Sequence, residues 1–245
     1  QVHELQMPVW DSLYQVRDFS QYINWIRAED HVGHPLPLQA LNPSRWRLEQ
    51  AAKGARVTYQ MFRDDPDPFG AQLNTRHAFF NPAQVLLYAD DLRGSKTSVV
   101  IRHIPSGWRV ATPLSSAGDV YNSDNYDQLA DSPIEISNFE ERDFSAPCGR
   151  YRVIMDAQDA ATLLPKIMSP IEQIVTSASK WMNDCPFQQY MFIYHLSSSP
   201  GSGGMEHAFA TAITLPAQDT TNDLATITGV TAHEFFHLWN VKRIR

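Results

Sequence analysis

Near its C-terminal end the chain reads His233-Glu234-Phe235-Phe236-His237, an H-E-x-x-H pattern. Apolar residues recur around it at helical spacing and predict an amphipathic helix: Leu224, Ile227, Val230, Phe235 and Leu238. Asn222 or Asp223 is expected to cap the start of this helix. Because helical residues four apart lie on one face, His233 and His237 can offer their imidazoles to a single metal ion.

Glu234 follows the first histidine, one step around the predicted helix. From there it can reach a water on the metal without binding the metal itself. Zinc acidifies its bound water towards neutrality, and a nearby carboxylate can take the proton and pass it to a leaving amine. The pattern therefore favours a hydrolytic zinc site with Glu234 as general base. The alternative is a buried helix whose two histidines are satisfied by other protein groups.

Length and composition limit the possible classes of protein. A chain of 245 residues corresponds to two small domains or one large domain. The formal net charge of -7 argues against a nucleic-acid surface. No apolar run approaches the roughly 20 residues of a membrane span, so no membrane partner is expected. Cys148 and Cys185 either pair or stay free, and the cellular compartment stays unknown.

The first part of the chain, residues 1–148, is predicted to form an N-terminal β-sandwich domain that lacks its first strands. Short apolar or alternating runs predict strands between Pro, Asn, Gly and Asp clusters. These runs are residues 2–9, 56–62, 84–88, 98–102 and 108–110. Residues 121–129 are predicted to be a short helix or a loop.

From residue 149 onwards, strand and helix patterns alternate. Strands are predicted at 151–155, 190–194 and 208–215, and a helix at 160–182 that Pro165 and Pro170 disturb in its first half. This order, ahead of the helix with the histidines, is typical of the N-terminal part of a metallopeptidase catalytic domain. We therefore expect an α+β chain whose second domain, 149–245, ends at the metal-binding helix.

A second informative stretch is Gly203-Gly204-Met205-Glu206-His207, where a glycine-rich loop leads into a predicted strand. Glycine lets another backbone come close, and an edge strand can bind an extended peptide as one more strand. Glu206 would then pair with the free α-amino group of the peptide, as in an exopeptidase. The alternative is a flexible hairpin loop with an exposed Glu206.

Together these motifs resemble the M61 peptidases, the glycyl aminopeptidase family. Residues 233–245 match the metal helix of the family and the basic segment after it, and residues 203–207 are similar to its G-G-x-E-H stretch. Residues 131–136 resemble the segment that joins its two domains. Residues 8–10 and 14–19 resemble its N-terminal region, with a departure at 11–13.

The resemblance implies a β-sandwich followed by the first part of a thermolysin-like (gluzincin) catalytic domain, with a PDZ domain further on. It implies Zn²⁺ held by His233, His237 and a glutamate expected beyond Arg245, supplied by the rest of a longer polypeptide or by a second chain. It also assigns substrate binding to Gly203, Gly204, Met205, Glu206 and His207, with His207 lining the cleft.

The predicted function is that of a zinc-dependent aminopeptidase that releases small or glycine-like N-terminal residues from peptides. The fragment is expected to be inactive until its third zinc ligand is supplied. Two alternatives stay open: a zinc endopeptidase, and a non-catalytic peptide-binding protein on a peptidase scaffold. The basic run Lys242, Arg243 and Arg245 either binds a substrate carboxylate or pairs with structural acids. A structural role is expected for His195, and His77 is expected to be an ordinary histidine.

Overall fold

A computed structural model of the chain describes residues 2–10, 15–51, 53–65, 69–197, 202–217 and 224–243. The chain falls into two compact units. Unit 1 comprises residues 1–64, 80–101 and 114–131, and unit 2 comprises residues 65–79, 102–113 and 132–245. Each unit therefore combines segments that are distant in the sequence.

The described residues are rich in strands. In chain order the strands are β1 (His3–Gln6), β2 (Ile23–Asp30), β3 (Pro35–Leu36), β4 (Leu38–Asn42), β5 (Arg45–Leu48), β6 (Ala55–Met61), β7 (Gln72–Leu73), β8 (His77–Phe80), β9 (Tyr88–Ala89), β10 (Thr97–Val100), β11 (Arg109–Ala111), β12 (Ser115–Ala117), β13 (Val120–Ser123), β14 (Ile134–Ser137), β15 (Glu140–Ala146), β16 (Gly149–Asp156), β17 (Gln189–Ser197), β18 (Gly203–Glu206) and β19 (Ala210–Pro216). The α-helices are α1 (Tyr126–Ala130), α2 (Ala160–Met182) and α3 (Ala225–Phe236). Short 3-10 turns lie at Ser20–Tyr22, Pro82–Gln84 and Asp90–Leu92. The predicted α+β class is confirmed.

Unit 1 contains sheets of order β4-β5-β1-β9, β3-β2-β6 and β10-β13-β12. The first two enclose one hydrophobic core, because both contribute side chains to the same cluster. Its buried members are Leu5, Met7, Phe19, Ala28, Trp46, Leu48 and Ala51. Two sheets around a common core form a sandwich, so the predicted β-rich N-terminal part is confirmed.

Unit 2 contains sheets of order β11-β14-β8-β7 and β15-β16-β17-β19-β18. In the five-stranded sheet, β16, β17 and β19 run parallel, and β15 and β18 pair antiparallel at its two edges. Parallel neighbours need a long crossover, which α2 supplies between β16 and β17. Strand β17 is buried from Tyr190 to Leu196, as its continuous apolar run predicts.

Helix α2 begins and ends at the predicted residues, and Pro165 and Pro170 do not interrupt it. A proline inside a helix costs about 3 kcal/mol, whereas full burial of a large apolar side chain contributes about 1.5–3 kcal/mol. The helix buries several such side chains: Leu163, Leu164, Ile167, Ile171 and Val175. Packing therefore outweighs the prolines, and the helix continues through both of them. In the described part of the chain, no helix has the length and apolar character needed to cross a membrane.

The sequence pattern predicts a strand at residues 84–88, and this prediction is wrong for most of the segment. A 3-10 turn occupies Pro82–Gln84, and only Tyr88–Ala89 pairs as a strand. The side chain of Tyr59 takes the place of a strand partner. Its hydroxyl donates to the Val85 carbonyl at 2.7 Å and accepts from the Leu87 amide at 3.3 Å. The backbone is satisfied without a ladder.

The turn at residues 147–148 joins two strands of one sheet, since β15 pairs with β16 on either side of it. The compact units therefore divide the chain elsewhere, and a domain boundary at 148 stays a prediction. Cys148 in this turn forms a disulfide with Cys185 in the loop after α2. Of the two alternatives for the cysteines, pairing is the one observed.

Candidate active site

Helix α3 is anchored to unit 2 by one face. Ile227, Thr231 and Phe235 are buried on that face, and Leu238 is buried just after the helix. The Thr231 hydroxyl lies 2.7 Å from the buried hydroxyl of Tyr194 on β17, and it donates to the Ile227 carbonyl at 2.6 Å. These contacts fix the turn that precedes His233.

Only some residues of the predicted apolar face of α3 are fully buried. Leu224 and Val230 are half-buried against the core. Leu224 is the N-cap residue of the described helix, without a side-chain cap. The predicted caps Asn222 and Asp223 lie outside the described residues.

His233 and His237 turn their rings towards each other. Their Nε2 atoms are 3.1 Å apart, and the ring centroids are 4.7 Å apart. In a tetrahedral zinc site with Zn–N distances of about 2.0–2.1 Å, two nitrogens lie about 3.3 Å apart, close to this spacing. The Nδ1 atom of His237 lies 3.3 Å from the Asn240 carbonyl oxygen, which accepts a hydrogen bond. In the tautomer with the proton on Nδ1, the Nε2 atom of His237 carries a lone pair that faces His233. The pair fits a metal ion.

Glu234 is buried beside the exposed His233, and its Oε1 lies 4.0 Å from His233 Nε2. Its Oε2 makes no hydrogen bond with any described residue. Burial, and then the neighbouring carboxylate of Glu206, raise the pKa of Glu234 to about 7, against the opposing effect of His237. A carboxylate with this pKa can exchange a proton at neutral pH.

The ligand atoms of Glu206, Glu234 and His237 all lie within 4.8 Å of one another. Glu206 ends β18, the edge strand of the five-stranded sheet, and it is buried rather than exposed on a hairpin loop. The fold therefore brings the glycine-rich stretch to the helix with the two histidines. Two carboxylates and the imidazole of His237 therefore meet at this point.

Close approach depends on the two glycines of β18. A Cβ atom on Gly204 would lie 2.3 Å from the Cδ atom of Glu234, and one on Gly203 would lie 2.6 Å from Cζ of Phe69. Glycine is needed here for space, as the sequence predicts. The groups that come close are side chains, however, and not another backbone.

Met205 and His207 have the remaining predicted binding roles, and both are buried. The Met205 carbonyl accepts from the Thr211 hydroxyl at 3.1 Å, and the His207 amide donates to the Ala210 carbonyl at 2.8 Å. These bonds hold the β18–β19 hairpin. With only 1% of its surface exposed, His207 does not line an open cleft.

The segment after α3 is tied to the disulfide-linked loop by Asp184. The Asp184 carboxylate accepts from Trp239 Nε1 at 3.2 Å and forms an ion pair with Arg243. For Arg243, pairing with a structural acid is therefore the alternative observed, and Arg245 lies outside the described residues. The sequence contains no local pattern that indicates the Tyr194–Thr231 or Asp184–Trp239 bonds, because each joins segments far apart in the chain.

Comparison with known families gives two matches. The Peptidase M61 N-terminal domain matches residues 1–138, and the M61 glycyl aminopeptidase family matches residues 226–245. The chain belongs to the M61 peptidase family. No curated protein sequence matches this M61 chain.

Solved structures include similar proteins. An aminopeptidase N family protein from Idiomarina loihiensis is 26% identical with a TM-score of 0.90, over 99% of this chain and 44% of that one. This M61 chain thus spans less than half the length of that relative. An M1 zinc metallopeptidase from Deinococcus radiodurans is 13% identical with a TM-score of 0.49, over 87% of this chain and 54% of that one.

Proposed function

We propose that this chain supplies part of the active site of a zinc-dependent aminopeptidase that releases small or glycine-like N-terminal residues from peptides. The observation that carries the proposal is the convergence of His233 Nε2 and His237 Nε2, 3.1 Å apart, beside the buried carboxylate of Glu234. Membership of the M61 peptidase family supports the same class of activity.

His233 and His237 would hold the zinc ion. Bound zinc acidifies a water molecule and polarises the scissile carbonyl. A catalytic zinc site uses three protein ligands and keeps one position open. The third ligand is proposed to be a glutamate from outside these 245 residues, on the same polypeptide or on a second chain.

Glu234 is the proposed general base. Its buried position beside the two histidines would let it take a proton from water and return it to the leaving amine. Gly204 permits this position, because any larger residue there would displace the Glu234 carboxylate. The neighbouring strand therefore helps to define where the base lies.

Glu206 is the proposed anchor for the α-amino group of the substrate. An extended peptide can pair with the edge strand β18, at whose end Glu206 lies. A buried carboxylate there would form an ion pair with a free ammonium group. A blocked N-terminus has no positive charge and could not form this ion pair. This favours an aminopeptidase over an endopeptidase.

The general base is tested with Glu234→Gln in the zinc-loaded protein that carries the complete ligand set. We expect turnover to fall by about 10²–10⁴-fold or more, the usual contribution of general acid–base catalysis, while zinc content stays the same. Glu172→Gln, an exposed change on α2, is the control and should retain full turnover. Undiminished turnover of Glu234→Gln would refute the role of Glu234.

The anchor is tested with Glu206→Ala on matched substrates with free and blocked N-termini. We expect KM to rise for the free-amine substrate only. An equal change on both substrates would support the endopeptidase. If the zinc-loaded protein binds peptides but cleaves neither substrate, the non-catalytic peptide-binding protein is the better description.

A further inference from the structure

Unit 2 contains a second group of metal-ligating side chains that shares no residue with the α3 site. It consists of His77 on β8, Glu135 on β14 and His195 on β17, whose ligand atoms all lie within 4.8 Å of one another. These residues expose only 6%, 0% and 4% of their surface. Asp156 stands beside them with a half-buried side chain.

Neighbouring strands of two sheets bring these residues together. Strands β8 and β14 are neighbours in one sheet. In the other sheet, Asp156 at the end of β16 is in register with His195 on the parallel strand β17. Phe79, two residues after His77 on β8, packs its ring against that of His195, with 4.6 Å between the centroids. The four side chains are therefore held by rigid strands and not by loops.

The contacts inside the cluster include one hydrogen bond and two close approaches between His77 and carboxylate oxygens. His195 Nε2 lies 2.8 Å from Glu135 Oε2, and His77 Nδ1 lies 2.9 Å from Asp156 Oδ2 and 3.8 Å from Glu135 Oε1. Within the described ranges, neither His77 Nδ1 nor Glu135 Oε1 makes a hydrogen bond. His77 Nδ1 and Asp156 Oδ2 lie at ion-pair distance. Burial opposes the charged form of His77, but Asp156 and Glu135 raise the pKa of His77 above its ordinary value.

The other nitrogen of His77 defines the tautomer. His77 Nε2 donates to Gln72 Oε1 at 2.9 Å, so in the neutral ring the Nδ1 atom carries a lone pair. That lone pair faces two carboxylate oxygens. A buried polar group without a partner costs about 1–3 kcal/mol, and more when it is charged. Glu135 and Asp156 bring two negative charges, which one divalent cation neutralises.

We propose that His77, Glu135 and His195, with Asp156, form a structural site for a divalent transition-metal ion such as zinc. Imidazole and carboxylate together suit zinc and its neighbours in the first transition row. Tetrahedral ligands about 2.0–2.2 Å from zinc lie about 3.3 Å apart, and the contacts within the cluster bracket this value. Four protein ligands close the site, so the ion would join β8, β14, β16 and β17 and catalyse nothing.

Two protonated histidines would neutralise the same carboxylates without a metal ion. That arrangement pairs His195 with Glu135 and His77 with Asp156. It leaves the Oε1 of Glu135 without a hydrogen-bond donor among the described residues, and His77 Nδ1 lies 3.8 Å from it. A metal ion between the ligands would bind both His77 Nδ1 and Glu135 Oε1. Because protonated histidines leave Glu135 Oε1 without a partner, the metal site is favoured.

The first experiment removes the α3 ligands. The double variant His233→Ala/His237→Ala is loaded with zinc, desalted and analysed for metal by mass spectrometry. We expect about one zinc per folded chain, and cobalt in its place should give the visible absorption of a tetrahedral site. A folded double variant that binds no zinc overturns the proposal, whatever the activity of the parent protein.

The second experiment adds Glu135→Gln to the double variant. This change keeps the size of the side chain and should abolish zinc binding and the rise in Tm that zinc produces. Glu140→Gln, the same chemical change at an exposed position of β15, should retain both. Zinc bound equally well by the Glu135→Gln protein would assign the ion to other groups and overturn the proposal. If Glu135→Gln does not fold, the metal content of the double variant decides the question.

Discussion

Helix α3 and the cluster of His77, Glu135 and His195 use the same side-chain types in opposite settings. On α3 the two histidines come from one helical turn, and the side chain of His233 is 68% exposed. In the cluster the side chains come from three strands and are buried. The exposed His233 and the half-buried His237 are open to solvent, whereas the buried side chains of the cluster are not. The same chemistry therefore suits a reaction in the first region and structural support in the second.

The largest expected effect is on the free energy of unfolding, when the cluster loses Glu135. Glu135→Ala removes the partner of His195 and leaves buried polar groups uncompensated, which costs about 3–5 kcal/mol when a buried pair is broken. Denaturant unfolding with EDTA present measures this loss without any metal contribution. Glu140→Ala is the exposed control and should change the free energy of unfolding by no more than about 0.5 kcal/mol. Similarly small changes in both variants would show that the cluster does not contribute to the free energy of unfolding.

In the metal-free protein, the α3 region should make stability depend on pH. Burial and Glu206 raise the pKa of Glu234 from 4.5 to about 7. The folded state thus holds this proton more tightly than the unfolded chain, so the stability that Glu234 contributes falls as the pH rises from about 4.5 to about 7. At about 1.4 kcal/mol per pKa unit, and allowing for solvent screening, we expect a loss of about 2 kcal/mol.

This pH dependence is isolated by comparing the unaltered protein with Glu234→Gln, both with EDTA, at several pH values. The variant lacks the titrating group, so its advantage in stability should grow by about 2 kcal/mol over that range. Glu172→Gln should follow the unaltered protein, because its side chain is exposed. Parallel stability curves for the unaltered protein and Glu234→Gln would show that Glu234 is not destabilised by its surroundings.

These two regions also mark how far the sequence predicts the molecule. His233 and His237 lie four positions apart on one helix, so local spacing alone predicts that their rings meet. Glu135 and His195 are separated by 60 positions, and nothing in either segment indicates the other. The cluster could not be predicted because it depends on which strands become neighbours.

The same reasoning explains the errors in secondary structure. The apolar periodicity of helix α2 is local and predicts both of its end residues, and packing overrides its prolines. Residues 84–88 have a strand-like pattern, but the hydroxyl of Tyr59 satisfies their backbone from a distant strand. Local pattern is a sound guide where backbone partners are local, and it fails where a remote side chain provides them.

A smaller effect is expected from the bond that anchors α3 to the sheet. Tyr194→Phe removes the hydroxyl that lies 2.7 Å from Thr231 Oγ1. A single buried hydrogen bond contributes about 1 kcal/mol to the free energy of unfolding, so a loss of this size is expected. A double-mutant cycle with Thr231→Val should give a coupling energy of about 0.5–1.5 kcal/mol. If the two changes have additive effects on the free energy of unfolding, the hydroxyls have no coupling energy and the hydrogen bond does not contribute to stability.

The smallest effect is expected at Asp184, just outside the helix. Asp184→Asn keeps an acceptor for Trp239 Nε1 but removes the charge that faces Arg243. Exposed ion pairs contribute about 0–1 kcal/mol, and salt screens them, so the loss of stability should be below about 1 kcal/mol and should disappear in high salt. Asp143→Asn, which breaks the exposed pair with Arg150, is the matched control.

Both variants should lose similar stability at low salt. Only Asp184→Asn should also weaken zinc binding at His237, because only Asp184 holds the segment that follows this proposed ligand. Equal zinc affinity in both variants would show that this segment does not position His237, and that the helix itself holds the ring in place.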